Sequence, residues 1–450
     1  NNYMSKMQPH LLVSWLIFFA LVGGYLLMAT QFPLAYIVAT YEDLVGEWTQ
    51  VFLFATTMLL SARLAFRKIN GRWFFALLTL ACFYVVGEEI SWGQRIFDIP
   101  TPDFFLTHNQ QNETNLHNFF TGPINSTSKN LLEYLLAAGL TGYGLVYPFL
   151  IRLRLPFALW FNEKGLAFPP LYLWPFFVLS GFLELGYLKF NEAELAEILI
   201  PLALAIMSLN YLQAVRGGFS LTEPAHWQAP QSGRLAKHTA LTLITVILLA
   251  LGTTAACYSS PRLGPEIAKR YLNGVEKFAG RYQLHENWKL AARLYALVEE
   301  KKPQRTDILR ELYRCHLQLG NTEKAQHFLE KAEQTDLDYL AKHTLSVATH
   351  LSLVETYELL KATDIAADHL EGSLLIAARN KKRNPQNDSA AYWLGRALEK
   401  SGSLTAAKQE YQRALELRPG SLKYRKALLS LRRRLESGNE AGDLKNRSSS

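Results

Sequence analysis

Hydrophobic residues are distributed unevenly along this chain of 450 residues. The first 259 residues contain strongly apolar stretches that are separated by short polar loops. The stretches cover residues 11–30, 49–66, 73–90, 131–151, 168–188, 195–213 and 239–257. Each is close to the ~20 residues that a helix needs to cross a bilayer. The pattern therefore predicts a bundle of seven transmembrane helices in residues 1–259.

The first apolar stretch has two interpretations, a membrane anchor or a secretory signal. Residues 11–30 form a longer apolar run than the ~7–15 residues of a signal's hydrophobic region. No clear small-x-small cleavage site follows it. We therefore expect an uncleaved anchor.

The hydrophobic pattern changes after residue 259. Residues 260–425 have apolar and small residues at helical spacing, separated by charged residues. Residues 426–450 predict a basic helix end that runs into a disordered tail. The predicted fold class is all-α, a seven-helix transmembrane bundle followed by an α-solenoid of helix pairs.

Charge divides the chain in the same place and predicts its orientation. Residues 1–259 have a net charge of −1, whereas residues 260–450 have a net charge of +9. Eleven of the Lys and Arg residues in 1–259 fall on one side of the predicted bundle and three on the other. Because Lys and Arg are enriched in cytoplasmic loops, the N-terminus is predicted inside and residues 260–450 outside a plasma or inner membrane.

Acidic and polar residues are concentrated at the outer ends of the predicted spans. The segment GEEISWGQRIF, residues 87–97, follows the third span, and a long outer loop with two histidines comes after it. A further glutamate lies inside the apolar fifth span, where an ionisable group is costly unless it has a partner. The candidate catalytic residues are Glu88, Glu89, Ser91 and Arg95, and the candidate metal ligands are Glu88, His108, His117 and Glu184.

Three kinds of chemistry fit these residue types. If the third helix continued, Glu88, Ser91 and Arg95 would share one face with Trp92. Glutamates with His108 and His117 would suit Zn²⁺, Mn²⁺ or Fe²⁺. Without a metal, Glu88 and Glu89 could act as an acid–base pair, or Ser91 could be a nucleophile with His117 as its base. The competing interpretation is a solvated rim of glutamates with no chemistry.

Seven spans with Ser, Glu and His at one face are similar, in architecture alone, to the alkaline ceramidase class of membrane metal hydrolases. The last helix of that class is rich in histidine, and it has no counterpart in HTALTLITVILLALG. No residue role is therefore carried over from that class.

The stretch DSAAYWLGRALEKSGSLTAAKQEYQRALELRP places small and aromatic residues where paired helices must pack closely. These positions are Leu394, Gly395, Leu398, Gly402, Ala407, Tyr411, Ala414 and Pro419. The stretch resembles a tetratricopeptide repeat, a helix pair of 34 residues. Ala391 stands where the family usually has tryptophan. The resemblance implies a stacked solenoid that binds a protein or peptide in its groove.

Weaker copies of the repeat precede this one. Ala291 and Ala325 mark two units at a spacing of 34 residues, and Ala367 marks a degenerate unit at spacings of 42 and 40. About four units are expected across 268–420. The histidines of this region are expected to be packing or surface residues. They are His316, His327, His343, His350 and His369.

Three classes of function are consistent with this organisation. The first is a membrane-anchored scaffold of the cell envelope, whose outer repeats bind protein partners. The second is a hydrolase or transferase that acts on a lipid or lipid-linked glycan at the outer Glu/His site. The third is a transporter, which ranks last because the Gly/Pro-interrupted helix pairs of many carriers are missing.

The expected partners follow from the charge of residues 260–450. Arg432, Arg433 and Arg434 could contact anionic lipid headgroups or an anionic envelope polymer. Nucleic acid is not expected on the outer side of a membrane. The cysteines Cys82, Cys257 and Cys315 have no CxxC spacing and indicate no disulfide framework.

Overall fold

The fold was determined from a computed structural model, which describes residues 8–94, 99–109, 114–116, 127–216 and 232–448. For residues 107–108, 127–128 and 437–448 it describes the backbone alone. Every regular element in these ranges is a helix. The prediction of an all-α fold is therefore confirmed for the described residues.

The helices up to residue 259 are numbered in chain order. They are α1 Pro9–Gln31, α2 Pro33–Thr40, α3 Val45–Ala65, α4 Arg72–Glu89, α5 Asp103–His108, α6 Thr127–Thr141, α7 Tyr147–Arg152, α8 Pro156–Glu163, α9 Trp174–Glu184, α10 Ala193–Arg216 and α11 Ser232–Ser259. A π-helical turn, Gly142–Val146, joins α6 to α7 without a break.

Within the described residues, five helical stretches are long and apolar enough to cross a membrane. They are Pro9–Gln31, Pro33–Ala65, Lys129–Arg152, Ala193–Arg216 and Ser232–Ser259. The third and fifth predicted spans differ from these. The helix α4 has three charged residues, Arg72, Glu88 and Glu89, within its 18 residues. The fifth span is helical only over Leu171–Glu184, because prolines precede it and a left-handed glycine follows it.

Buried hydroxyl groups connect the apolar helices. The side chain of Thr57 on α3 donates to the carbonyl oxygen of Pro201 on α10 at 3.0 Å. Ser61 on α3 and Thr79 on α4 have their hydroxyl oxygens 2.9 Å apart. Thr57 and Ser61 are fully buried. Small polar residues of this kind let apolar helices approach closely and contribute interhelical hydrogen bonds.

At one end of the bundle, the beginning of α1 lies beside the beginning of α11. The Nδ1 atom of His10 is 2.8 Å from the hydroxyl oxygen of Ser232. The indole N–H of Trp73, at the start of α4, donates to the carbonyl oxygen of Lys164 at 2.8 Å. The start of α1 thus contacts the start of α11, and the start of α4 contacts the loop that precedes α9.

At the other end, α12, Gly264–Leu284, packs on the segment around α2. The Tyr36 ring lies 5.5 Å from the Phe278 ring, and its hydroxyl donates to the carbonyl oxygen of Phe190 at 3.0 Å. Arg270 forms an ion pair with Asp43. These contacts explain why α12 belongs mostly with the apolar helices.

The chain forms two compact units. The first unit is Asn1–Pro100 with Asn125–Arg281, and the second is Thr101–Ile124 with Tyr282–Ser450. The domain division from the sequence, at 259–260 and at 425–426, stays a prediction. A helix passes through the second of these positions, since the last helix is Leu422–Ser448.

The second unit is a series of antiparallel helices. After α12 they are α13 Trp288–Lys301, α14 Thr306–Gln318, α15 Thr322–Lys342, α16 Val347–Leu359, α17 Thr363–Arg383, α18 Asp388–Lys400, α19 Leu404–Leu417 and α20 Leu422–Ser448. The second helix of the pairs α14–α15 and α16–α17 has 21 residues, whereas α19 has 14. The two middle pairs are therefore longer than an ordinary repeat.

The lengthened helices explain the irregular spacing in the sequence. The small buried residue of each second helix is Ala325, Ala366 and Ala407, at equal spacings of 41 residues. The prediction of Ala367 for this position is wrong, because its side chain is exposed. The excess over a 34-residue period is seven residues, or about two helical turns. Such an insertion keeps the same face of the helix toward its neighbours.

The tight turn inside each pair uses a left-handed backbone conformation. The residue in this turn has a positive φ at Glu286, Gly320, Lys361 and Gly402. Glycine adopts this conformation without steric cost, whereas a residue with a Cβ pays about 1–2 kcal/mol. Two of the four turns thus carry a strained residue.

Lys361→Gly should therefore stabilise the second unit by about 0.5–1 kcal/mol, since the relief of strain exceeds the extra chain entropy of glycine. The measurement is denaturant unfolding followed by circular dichroism. Lys342→Gly, in the last turn of α15 where φ is negative, is the matched control and should destabilise by about 1 kcal/mol. If Lys361→Gly and Lys342→Gly lower the free energy of unfolding equally, the backbone at Lys361 is not strained.

Candidate functional site

Two recesses open on the surface of the second unit. The first has a volume of about 460 Å³ and lies where α16, α17 and α18 meet. Its wall includes Val347, Ala377, Asn380, Asn387 and Trp393. Amide side chains beside an indole ring offer both hydrogen bonds and apolar contact, which suits an extended peptide.

The second recess, of about 550 Å³, lies between α18 and α20. Its lining residues are Arg396, Glu399, Lys400, Ala427, Ser430 and Arg434. Arg396, Lys400 and Arg434 outnumber the single carboxylate, Glu399. Arg434 forms an ion pair with Glu399 at 2.6 Å. The lining therefore has an excess of positive charge.

Lys423 lies beside this recess and covers two aromatic rings. Its ammonium nitrogen is 4.1 Å from the centre of the Tyr392 ring and 4.8 Å from that of Trp393. Burial, and then the positive charge of Arg396, lowers the pKa of Lys423. Cation–π contacts of this kind are worth about 0.5–2 kcal/mol. They hold the first turn of α20 against α18.

A buried ionic network joins α14, α15 and α16. Arg310 on α14 is 4% exposed and donates to the hydroxyl of Ser352 at 2.8 Å and to Glu355 at 2.8 Å. Asp336 on α15 accepts from Ser352 at 2.6 Å and from Thr306 at 3.2 Å. Asp336 lies in the lengthened part of α15, so the extra turns contribute a contact to the neighbouring pair.

In the first unit, the GEEISWG segment forms a tight turn at the end of α4. Glu88 is 3% exposed and accepts a hydrogen bond from the indole N–H of Trp92 at 2.8 Å. A Cβ atom on Gly87 would lie only 2.8 Å from the Trp92 ring, so the ring packs directly on the backbone. This turn fixes the orientation of the Glu88 carboxylate.

The turn corrects the expectation of a continuous helical face. The helix α4 ends at Glu89, and Ser91 and Trp92 have φ values of 47° and 53°. A left-handed pair of residues cannot continue an α-helix, so the i, i+3, i+4 and i+7 spacing does not apply. Ser91 is buried, with 1% of its surface exposed. Left-handed residues with side chains are costly, and they occur often at functional sites.

Several glutamates of the first unit lie close enough to interact electrostatically. Glu194 interacts with Glu47, Glu89 and Glu197, and Glu197 interacts in turn with Glu184. They come from α3, α4, α9 and α10. Gln50 forms a hydrogen bond with Glu197. The sequence places Glu47, Glu194 and Glu197 at the outer ends of the spans, but the predicted catalytic and metal-binding residues do not include them.

A further glutamate near this cluster has a structural role. Glu192 is 6% exposed and accepts hydrogen bonds from the backbone N–H groups of Leu188 at 2.6 Å and Phe190 at 2.8 Å. A carboxylate saturated by backbone donors stabilises the turn between α9 and α10. It is therefore unsuited to proton transfer.

Some candidate residues lie outside the described part of the chain. Arg95 and His117 fall in undescribed segments, and only the backbone of His108 is described, at the end of α5. Among the side chains that the structure describes, no group of three His, Cys, Asp or Glu residues could hold a metal ion. Because two proposed ligands lie outside that set, the metal site stays a prediction.

Comparisons with known proteins bear on the second unit. Residues 388–421 match the family model of the tetratricopeptide repeat. The human IFIT1 dimer with PPP-AAAA is 16% identical over 76% of this chain and 71% of its own, with a TM-score of 0.17. The yeast Tom70 structure is 12% identical over 98% of this chain and 90% of its own, with a TM-score of 0.20. No curated protein sequence matches the chain.

The two structural likenesses have TM-scores too low to support an argument about fold or function. The assignment therefore rests on the matched residues and on their structure. Residues 388–421 comprise α18, the glycine turn at Gly402 and α19, which is one complete helix pair. The C-terminal half of this chain thus contains a tetratricopeptide repeat, as its sequence predicts.

Proposed function

We propose that this chain is a polytopic membrane protein whose extracytoplasmic tetratricopeptide domain binds a protein partner during assembly of the cell envelope. The observation that carries the proposal is the pair of recesses along α16, α18 and α20, which combine aromatic, amide and basic side chains. Tetratricopeptide repeats commonly form concave surfaces for protein partners. The excess of cations favours a partner segment with acidic residues.

The arrangement of loops in the first unit supports seven crossings. The contacts of His10 with Ser232 and of Trp73 with Lys164 join segments that the charge pattern assigns to the cytoplasmic side. The Arg270–Asp43 ion pair joins segments assigned to the outer side. If α4 and the Leu171–Glu184 stretch cross as well as the five longer stretches, each of these contacts joins segments on the same side of the membrane. The Leu171–Glu184 stretch is largely buried by its neighbours, whereas α4 has an exposed apolar face with Leu77, Leu80 and Phe83, which suits contact with lipid.

Site-specific photocrosslinking in cells tests partner binding. A photoreactive residue at Ser430, in the second recess, should form a discrete adduct, and Lys400→Glu should abolish it by reversing a charge in the recess. Gln409, an exposed residue of α19 outside both recesses, is the control position. Adducts that are identical at Ser430 and Gln409, or that persist in Lys400→Glu, would argue against a specific groove.

A second candidate function is a membrane-embedded hydrolase or transferase that acts on a lipid or lipid-linked glycan. The observation that favours it is the convergence of Glu47, Glu89, Glu184, Glu194 and Glu197 beside the strained Ser91–Trp92 turn. Like charges that are partly buried in an apolar bundle are costly, and a bound cation or shared protons would offset that cost.

Elemental analysis of the purified chain separates the two candidates. The enzyme proposal expects about one equivalent of a divalent transition metal such as Zn²⁺, lost in Glu88→Gln and in His117→Ala. Glu163→Gln, on the predicted cytoplasmic side, is the matched control and should keep the metal. Absence of metal, with unchanged stability and cellular phenotype in Glu88→Gln and Glu184→Gln, would leave the scaffold as the remaining function.

A further inference from the structure

The outer segment that follows GEEISWGQRIF belongs to the repeat domain and not to the helices that flank it. Thr101–Ile124 is part of the second unit, although the residues on either side of it are part of the first. In this segment α5 and residues 114–116 are described. The described residues of this segment contact other residues of the second unit.

Those contacts are with the turn between α19 and α20. A Cβ atom on Gly420 would be only 3.1 Å from the carbonyl oxygen of Leu106, so the backbone of α5 sits directly on this glycine. The guanidinium of Arg425 donates to the carbonyl oxygen of Asn109 at 3.3 Å and to that of Pro419 at 3.2 Å. Arg425 thus bridges the turn and the end of α5.

The segment has its own internal order where it meets the turn. Asn109 is fully buried, and its amide donates to the backbone oxygen of Asn115 at 2.8 Å and to its side-chain oxygen at 3.0 Å. Asn115 is 2% exposed. Burial also lowers the pKa of Arg425, as expected for a guanidinium covered by another part of the chain. Buried, paired amides are typical of a folded contact.

We propose that residues 419–425 form a docking surface whose occupant is this chain's own outer segment, residues 101–109 with 114–116. The absence of a side chain at Gly420 lets the backbone of α5 approach closely. Arg425 donates a hydrogen bond to the carbonyl oxygen of Asn109, the residue that follows α5. The matched repeat, 388–421, ends within this surface. The fold of the last repeat therefore holds the stretch of chain that follows the Ser91–Trp92 turn. The proposal does not depend on partner binding or on chemistry at the glutamates.

Hydrogen exchange on the full-length chain in detergent tests this docking. In Arg425→Ala and in Gly420→Leu, amide exchange across 103–109 should become at least about tenfold faster, because one removes the donor and the other fills the contact. Arg418→Ala is the matched control, since Arg418 is an arginine of the same turn and its side chain is 71% exposed. It should leave exchange in 103–109 unchanged.

The same exchange measurement separates undocking from a folding defect. In both docking variants the amides of α18 and α19, the helix pair of the matched repeat, should keep their protection while those of 103–109 lose it. If exchange in 103–109 is unchanged in both docking variants, or rises only together with exchange in α18 and α19, the docking surface is wrong.

Discussion

Arg310→Ala should lower the free energy of unfolding of the repeat region by about 3–5 kcal/mol, because it leaves Asp336 buried without a cation. Arg310 and Asp336 are 4% and 7% exposed, and the charged atoms of the pair are 3.9 Å apart. Their shared partner Ser352 would lose a charged donor as well. Denaturant unfolding followed by circular dichroism measures the loss.

The loss should depend on pH in a defined direction. Burial raises the pKa of Asp336 above its ordinary value of 3.8, against the opposing effects of Ser352 and Arg310. A carboxyl with a raised folded-state pKa costs stability when ionised, and that cost disappears as pH falls through the raised pKa. The deficit of Arg310→Ala should therefore be largest at neutral pH and shrink on acidification.

A matched arginine variant controls for loss of charge. Arg413 is partly exposed and pairs with Glu416 three residues further along α19. Exposed pairs are worth about 0–1 kcal/mol, so Arg413→Ala should change stability very little. Comparable losses in the two variants, or a deficit in Arg310→Ala that is independent of pH, would show that the buried network is not what joins the pairs.

Tyr411→Ala should destabilise the last repeat by about 3–5 kcal/mol through the cavity that it leaves. Tyr411 is fully buried, and the position of a Cβ atom on Gly395 would be 2.7 Å from its ring. Its ring also lies 5.8 Å from that of Tyr392. Because the site is formed by α18 and α19, the two helices of the matched repeat should lose protection from hydrogen exchange together.

Tyr411→Phe separates packing from hydrogen bonding at the same position. The hydroxyl of Tyr411 donates to Glu399 at 2.6 Å, and a hydrogen bond to a charged group is worth about 1.5–3 kcal/mol. Phenylalanine keeps the ring, so Tyr411→Phe should lower the stability of the repeat by less than Tyr411→Ala does. If alanine and phenylalanine cost the same, the ring would contribute nothing to the repeat.

Local patterns in the sequence were sufficient to predict the helices and the repeat of the second unit. Helical periodicity and the small residues Gly395 and Ala407 identified the repeat, because helix pairing depends on residues a few positions apart. The register of the degenerate unit was missed by one position, since the sequence alone does not reveal that α15 and α17 are each longer by two turns. The correct position, Ala366, is fixed by packing.

The candidate site was harder to predict because it depends on backbone conformation and on distant contacts. Nothing in GEEISWG signals that Ser91 and Trp92 adopt left-handed conformations that end α4. The proximity of Glu47 to Glu194 requires the packing of α3 on α10, which no local pattern gives. The contact of Leu106 with Gly420 joins positions more than 300 residues apart. The sequence indicated that glutamates gather at the outer ends of the spans, but not which of them interact.

The proposed topology places the repeat domain outside the cytoplasm, after seven crossings. Fusion of a reporter that is active only outside the cytoplasm tests it most directly, with one fusion after residue 448 and one between residues 216 and 232. A third fusion, between residues 153 and 156, checks the two shorter crossings. We expect an active reporter after residue 448 and silent reporters at the two internal positions. A silent reporter after residue 448, or an active one between residues 153 and 156, would overturn this topology.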